Sequence, residues 1–271
     1  MAADDIFWTS LLSRLLVVQA WGYLHSAQFE NGVKAVERAC ELVQGLERPD
    51  IEAEARLVWA RILSKQYKHE PALAQYEQVV ALAKTAQNQI LEADGWIVIG
   101  AQILWQTDVK PAQEPLQHAL NLCQALQYKL GEMETLRLLG DLVKDQESVA
   151  YYKRALRLSH LLGDVVSSAE ALGSLGVGLK LQGDLVGSQA CHEEALATFR
   201  KLNMPESQEW LLGELGHTAT MLGNYPAAEQ YLTGALVIAG QLKDVFWQAW
   251  VKLPLGGCGM SAENRKKRCL P

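Results

Sequence analysis

Residues 175–196 read LGVGLKLQGDLVGSQACHEEAL, and forty positions further on residues 215–236 read LGHTATMLGNYPAAEQYLTGAL. Each stretch opens on Leu-Gly, breaks at Gly followed by Asp or Asn, continues through a small residue (Ser188, Ala228), and closes on Ala-Leu. The closing position sets a ruler for the whole chain. Ala39, Val79, Ala119, Ala155, Ala195 and Ala235 stand at intervals of 40, 40, 36, 40 and 40 residues. Apolar residues between the breaks recur at helical spacing, so each period is expected to hold two helices joined by a tight corner. Small residues permit close helix crossings, which places Gly176 or Gly216 on the first helix opposite Ala195 or Ala235 on the second. Such a hairpin leaves an apolar face that the next hairpin covers.

This frame resembles the tetratricopeptide repeat, whose Leu-Gly, aromatic, Ala and Ala positions follow the same order. The resemblance runs over about residues 10–264. It implies an all-α fold, a right-handed superhelical solenoid of antiparallel helix hairpins with about six and a half repeats. One solenoid is expected over residues 1–264, with repeats at about 4–46, 51–87, 90–128, 132–162, 164–202 and 205–242 and a partial repeat at 244–264. Residues 265–271 form a basic tail expected to be disordered. The fourth repeat is short: Gly140 and Ser148 are 8 apart where Gly176 and Ser188 are 12 apart, so four residues are missing from its corner. Asp108, Asp184 and Asn224 share the position before the second helix and read as caps for its free amides.

Composition narrows the function. Net charge is −6, and the run Arg265 to Arg268 supplies +4 of it, leaving −10 on the rest of the chain, a balance that repels nucleic-acid phosphates. Five scattered cysteines, three of them (Cys40, Cys123, Cys191) in second helices, fit a reduced, cytoplasmic protein. The start of the chain, with Asp4 and Asp5, lacks the basic residues of a signal peptide, and no stretch approaches the roughly 20 apolar residues of a membrane span. No cofactor or metal is expected. Gly173, Gly176, Gly178 and Lys180 miss the phosphate-loop spacing, and no two histidines share a helix at ligand spacing. His192 beside Cys191 is not a dyad, because adjacent helical residues diverge; it occupies the large-residue position also held by Tyr76, Leu116, Tyr152 and Leu232.

In repeats of this type the first helices line a groove. The corresponding positions hold Arg14, Trp21 and His25 in the first repeat, Leu57, Arg61 and Lys65 in the second, and Asp94, Ile97 and Trp105 in the third. Glu134, Arg137 and Asp141 follow in the fourth, Glu170 and Lys180 in the fifth, and Trp210, His217 and Met221 in the sixth. Tryptophan, arginine and acids on one helical face suit a protein or peptide ligand, and no residue is assigned to catalysis. Repeats of this length with a Leu162-Gly163-Asp164 link look like two groups: Pins-type adaptors, and the sensor arrays of bacterial STAND ATPases and LuxR-type regulators. The first group favours Asn just after Leu-Gly, where this chain has Trp21, Arg61, Ala101, Asp141, Val177 and His217. The Lys and Asn pattern of carboxylate clamps for chaperone tails is absent too. The resemblance therefore implies a protein-binding scaffold, the sensor module of a larger signalling protein, with a free-standing adaptor or assembly chaperone as the second reading. Phe246, Trp247 and Trp250 on the incomplete last repeat are expected to support self-association.

Overall fold

A computed structural model describes residues 3–106, 109–143, 146–245 and 247–251. Within them the chain is a run of α-helices with no strand among the described residues. Twelve helices pair into hairpins: α1 Ala3–His25 with α2 Phe29–Val43, α3 Pro49–Lys65 with α4 His69–Thr85, and α5 Gln89–Gln106 with α6 Val109–Ala125. These are followed by α7 Lys129–Val143 with α8 Gln146–Leu162, α9 Val165–Leu181 with α10 Leu185–Lys201, and α11 Pro205–Met221 with α12 Tyr225–Leu242. A further helical run occupies residues 247–251. The side chain of Trp105, the expected cap Asp108, Phe246, the rest of the partial repeat and the basic tail lie outside the described residues.

Local chemistry sets these boundaries. Pro49 and Pro205 open α3 and α11, where the missing amide costs no hydrogen bond. Asp184 and Asn224 cap as expected, accepting from the amides of Gly187 at 2.8 Å and Ala227 at 3.3 Å. The corners between hairpins use the same device: Asn88 accepts from Leu91 at 3.1 Å and Asp164 from Ser167 at 3.0 Å. Helices α9 and α11 end where Gly183 and Gly223 turn left-handed, at φ +85° and +76°.

The chain divides into two compact units, residues 1–138 and 139–271. In the first, Val17, Ala20, Val36, Ala39, Ala55, Val58 and Ile62 form one buried cluster, and Ala60, Tyr76, Val80, Val98 and Ile99 a second. In the other, Leu196, Phe199, Leu211, Leu215, Leu232 and Val251 build the main cluster. First helices of successive hairpins touch, α1 against α3, α3 against α5, and α9 against α11, and so mark an inner side in each unit.

One expectation about packing is corrected. The glycines at the Leu-Gly position of the first helices, Gly100, Gly140, Gly176 and Gly216, do not face the alanine ruler. They face the large-residue position three places before it. A Cβ on Gly100 would stand 2.5 Å from Leu116, on Gly140 2.5 Å from Tyr152, and on Gly216 2.5 Å from Leu232, distances no carbon pair tolerates. Gly176 meets the ring of His192 in the same way. The six ruler residues are all fully buried. Their partner is shown in the second repeat, where Val79 reaches into the next hairpin and lies 3.5 Å from where a Gly95 Cβ would be. Glycine therefore serves to admit one bulky side chain per hairpin, and alanine serves the joint between hairpins.

Candidate functional site

Successive first helices bring equivalent positions side by side, so the inner side of the first unit is built from columns of repeat-related residues. One column reads Arg14, Glu54, Asp94 and Glu134. Arg14 is engaged within it: its guanidinium reaches Asp50 at 3.1 Å and Glu54 at 3.7 Å, tying α1 to α3. Arg48 holds Asp50 from the other side at 2.7 Å, and this hydrogen bond keeps the Asp50 carboxyl below its usual range. Of the acids that follow, Glu54 shares Arg14 with Asp50, and Asp94 takes a hydrogen bond from the Tyr128 hydroxyl. Burial raises the pKa of Glu54, and burial pushes Asp94 up to about 6, with the like charge of Glu134 adding to the rise. The Tyr128 hydroxyl and the charge of Arg61 pull Asp94 the other way.

The neighbouring column contributes Trp21 and Arg61. The Arg61 guanidinium stands 5.1 Å from the Trp21 ring centroid, a cation–π geometry across the α1–α3 joint. Its Nε is buried and has no hydrogen-bond partner. Trp21 also stacks loosely on His25, whose Nδ1 lies 2.8 Å from the Trp21 carbonyl oxygen. Lys65 is exposed one turn beyond Arg61, while Ile97 is buried and Leu57 half-buried in the core beneath. The first unit thus assembles Trp21, Arg61, Asp94 and Glu134, with Arg137 half-buried on the next turn of α7. It adds two residues that the repeat pattern alone did not single out, Glu54 and Tyr128. Glu54 was legible, because it holds the same repeat position as Asp94 and Glu134. Tyr128 was not, because it stands at a corner position that Asn88 and Asp164 use for capping.

The second unit spends its corresponding residues on itself. Trp210 lies across Gly173 with its ring edge 2.7 Å from where a Cβ would be, filling the α9–α11 joint. His217 stacks on Trp250 with ring centroids 4.4 Å apart, and burial lowers its pKa. Trp247 packs edge-on against Trp250 at 4.7 Å, and both tryptophans are half-buried on α11. The Lys180 ammonium pairs with Glu214, both side chains being nearly withdrawn from solvent at 15% and 11% exposure. Asp141 accepts a 2.8 Å hydrogen bond from the Tyr152 hydroxyl. Glu170 is half-buried and Met221 exposed. The groove-position side chains of the second unit thus largely contact one another, although Nε2 of His217 is buried without a hydrogen-bond partner.

His192 packs in the hairpin interface, as its repeat position implies. It is fully buried beneath Gly176, with Nε2 3.1 Å from the Gly173 carbonyl oxygen and Nδ1 unpartnered. Burial pushes its pKa down to about 4. Cys40, Cys123 and Cys191 are free thiols, and burial pushes Cys40 and Cys123 up to about 11, which makes them poor nucleophiles. Among the described residues no three His, Cys, Asp or Glu side chains gather as a metal site, and no helix is long and apolar enough to cross a membrane.

No family model and no curated protein matches the chain. Solved structures do. A Rap protein complexed with Competence and Sporulation Factor superposes with a TM-score of 0.68 at 13% identity, covering 95% of this chain and 88% of that one. The apo form of RapI gives 0.70 at 16% identity, covering 90% and 86%. A STAND protein with a tetratricopeptide repeat sensor from Pyrococcus horikoshii gives 0.66 at 12% identity, covering 94% of this chain and 40% of that one. Similarity at this level of identity establishes the tetratricopeptide-like helical fold.

Proposed function

We propose that this chain is a non-enzymatic binding module that holds a protein or peptide segment along the inner side of its first unit. The ligand chemistry we assign is cationic: a lysine, arginine or free amino group set against Asp94 and Glu134, with the adjoining backbone carbonyl accepting from Arg61 and an apolar side chain on Trp21. The observation that carries this reading is the acidic column itself. Burial and the like charge of Glu134 raise the pKa of Asp94, a cost to the free protein that a bound cation relieves. The unsatisfied Arg61 Nε beside them is a second such cost.

The similar structures support the binding role in general terms, one being a Rap protein in complex with a named factor and another carrying a repeat sensor. The sensor module of a larger cytoplasmic signalling protein is the assignment we favour from the STAND likeness. The second reading is a free-standing adaptor or assembly chaperone that bridges protein partners. An ATPase region upstream in the same reading frame decides between them.

Linear peptides recovered by display panning against the chain are expected to be rich in Lys and Arg. Their affinity, read by fluorescence anisotropy, is expected to fall at least tenfold, about 1.4 kcal/mol, in Arg61→Ala and in Asp94→Asn. Binding is also expected to weaken as pH falls from 7 to 5, because Asp94 takes up a proton near 6 and loses its charge. Peptides without basic residues, bound equally by wild type and by both folded variants, would refute the assignment.

A further inference from the structure

Helix α1 is apolar on the wrong side. Its buried residues are mostly small, Ser10, Ser13, Val17 and Ala20, whereas Phe7, Trp8, Leu11, Leu12, Leu15 and Val18 face solvent, with Trp8 63%, Leu15 57% and Val18 66% exposed. A helix apolar all round is one that is covered all round. Six large apolar side chains exposed along one stripe of a single helix form the kind of contiguous patch that marks an interaction surface.

The stripe has an internal symmetry. Asp4, Trp8, Leu11, Leu15, Val18, Gly22 and His25 follow one another in alternating steps of four and three, the seam of an antiparallel helix pair. Turned end for end about Leu15, the seam matches itself to within one residue: Trp8 falls on Gly22 and Leu15 on its own copy, while Leu11 comes one residue from Val18 and Asp4 one residue from His25. The large ring thus meets the position with no side chain, and the acid comes near the imidazole. Gly22 has no use inside the chain, since a Cβ there would touch nothing within 4 Å. Arg14, the only charged side chain between Ile6 and Val18, is turned toward Asp50 and Glu54 on α3 and stays out of the seam.

We propose that α1 is the interface of a two-fold homodimer, packed antiparallel on α1 of a second copy and centred on Leu15. Two-fold contacts of this isologous kind are the commonest way a soluble chain buries such a face.

Analytical ultracentrifugation of the full chain at micromolar concentration tests it. The wild type is expected to sediment at twice the chain mass. Leu15→Arg sets two like charges on the symmetry axis, and Gly22→Leu fills the place of the Trp8 ring. Each is expected to weaken association at least tenfold while leaving circular dichroism melts unchanged, because both positions are open to solvent. Leu15→Cys is expected to form a disulfide with its own copy under mild oxidation. A monomeric wild type, including one that instead binds lipid vesicles, or a dimer indifferent to both substitutions, overturns the proposal.

Discussion

Gly176→Arg is expected to lower the stability of the second unit by more than ~3 kcal/mol, because it adds the cost of burying an unpaired charge to the ~1–3 kcal/mol of overpacking. Any side chain at this position enters the space of the His192 ring, which cannot swing aside without losing its place over the Gly173 carbonyl. Gly176→Ala isolates the steric part and should cost about 1–3 kcal/mol. Combining it with His192→Ala should recover a large share, since the second change removes what the first collides with. Thermal melts followed by circular dichroism decide it. An unchanged midpoint in Gly176→Arg would mean that the hairpin contact is not where the structure places it, and additive losses in the double variant would mean that the two residues do not meet.

Opposite pH slopes are expected from two buried groups in the same unit. Glu209 is 2% exposed, its Oε1 has no hydrogen-bond partner, and it occupies the repeat position held by Ala53, Ala93 and Ala169. Burial, reinforced by Asp244 and Glu206, pushes its pKa up to about 7 from an unfolded value of 4.5. Between those values the native state keeps a proton that the unfolded chain has released, so stability falls as pH rises from 4.5 and levels off above 7. His192 acts in the reverse sense. Its native pKa is about 4 against 6.5 unfolded, so stability falls as pH drops through that interval. Over pH 4.5–6.5 the two effects oppose each other. Glu209→Gln should therefore differ from wild type by a curve that rises with pH, and His192→Leu, which installs the residue of Leu116 and Leu232, by a curve that falls. Each difference should span roughly 3 kcal/mol, at about 1.4 kcal/mol for every tenfold change in proton affinity between the native and unfolded chains. Parallel stability curves for all three proteins would contradict both burial assignments.

Much of the fold was legible because its repeat is. A ruler of buried small residues and a Gly-Asp or Gly-Asn corner suffice to place hairpins, since each depends on spacing alone. The Gly–Ala crossing was misjudged for a reason of the same kind: sequence spacing shows that two positions are small, but not whether they share a contact. His192 under Gly176 resolves this, because the bulk lies three residues before the alanine on the adjoining face of the helix. The inner columns were partly legible. Trp21 and Arg61 hold the same repeat position, and their stacking follows from successive first helices lying together. Tyr128 near Asp94 could not be read, since a corner residue of one hairpin reaches a helix of the one before. Trp210 and His217 look like groove residues by position, yet Gly173 and Trp250 absorb them; only packing distinguishes a ring offered to a ligand from one that closes a joint.

The claim that the inner side of the first unit is the binding surface is tested most directly by site-specific photo-crosslinking. A photoreactive phenylalanine analogue is placed at Trp21 on the inner side or at exposed Gln78 on α4, and each protein is irradiated with a panned lysine-rich peptide. The account predicts adducts from position 21, suppressed by excess unlabelled peptide, and none from position 78. Adducts from position 78 alone would put the ligand on the second helices and contradict it.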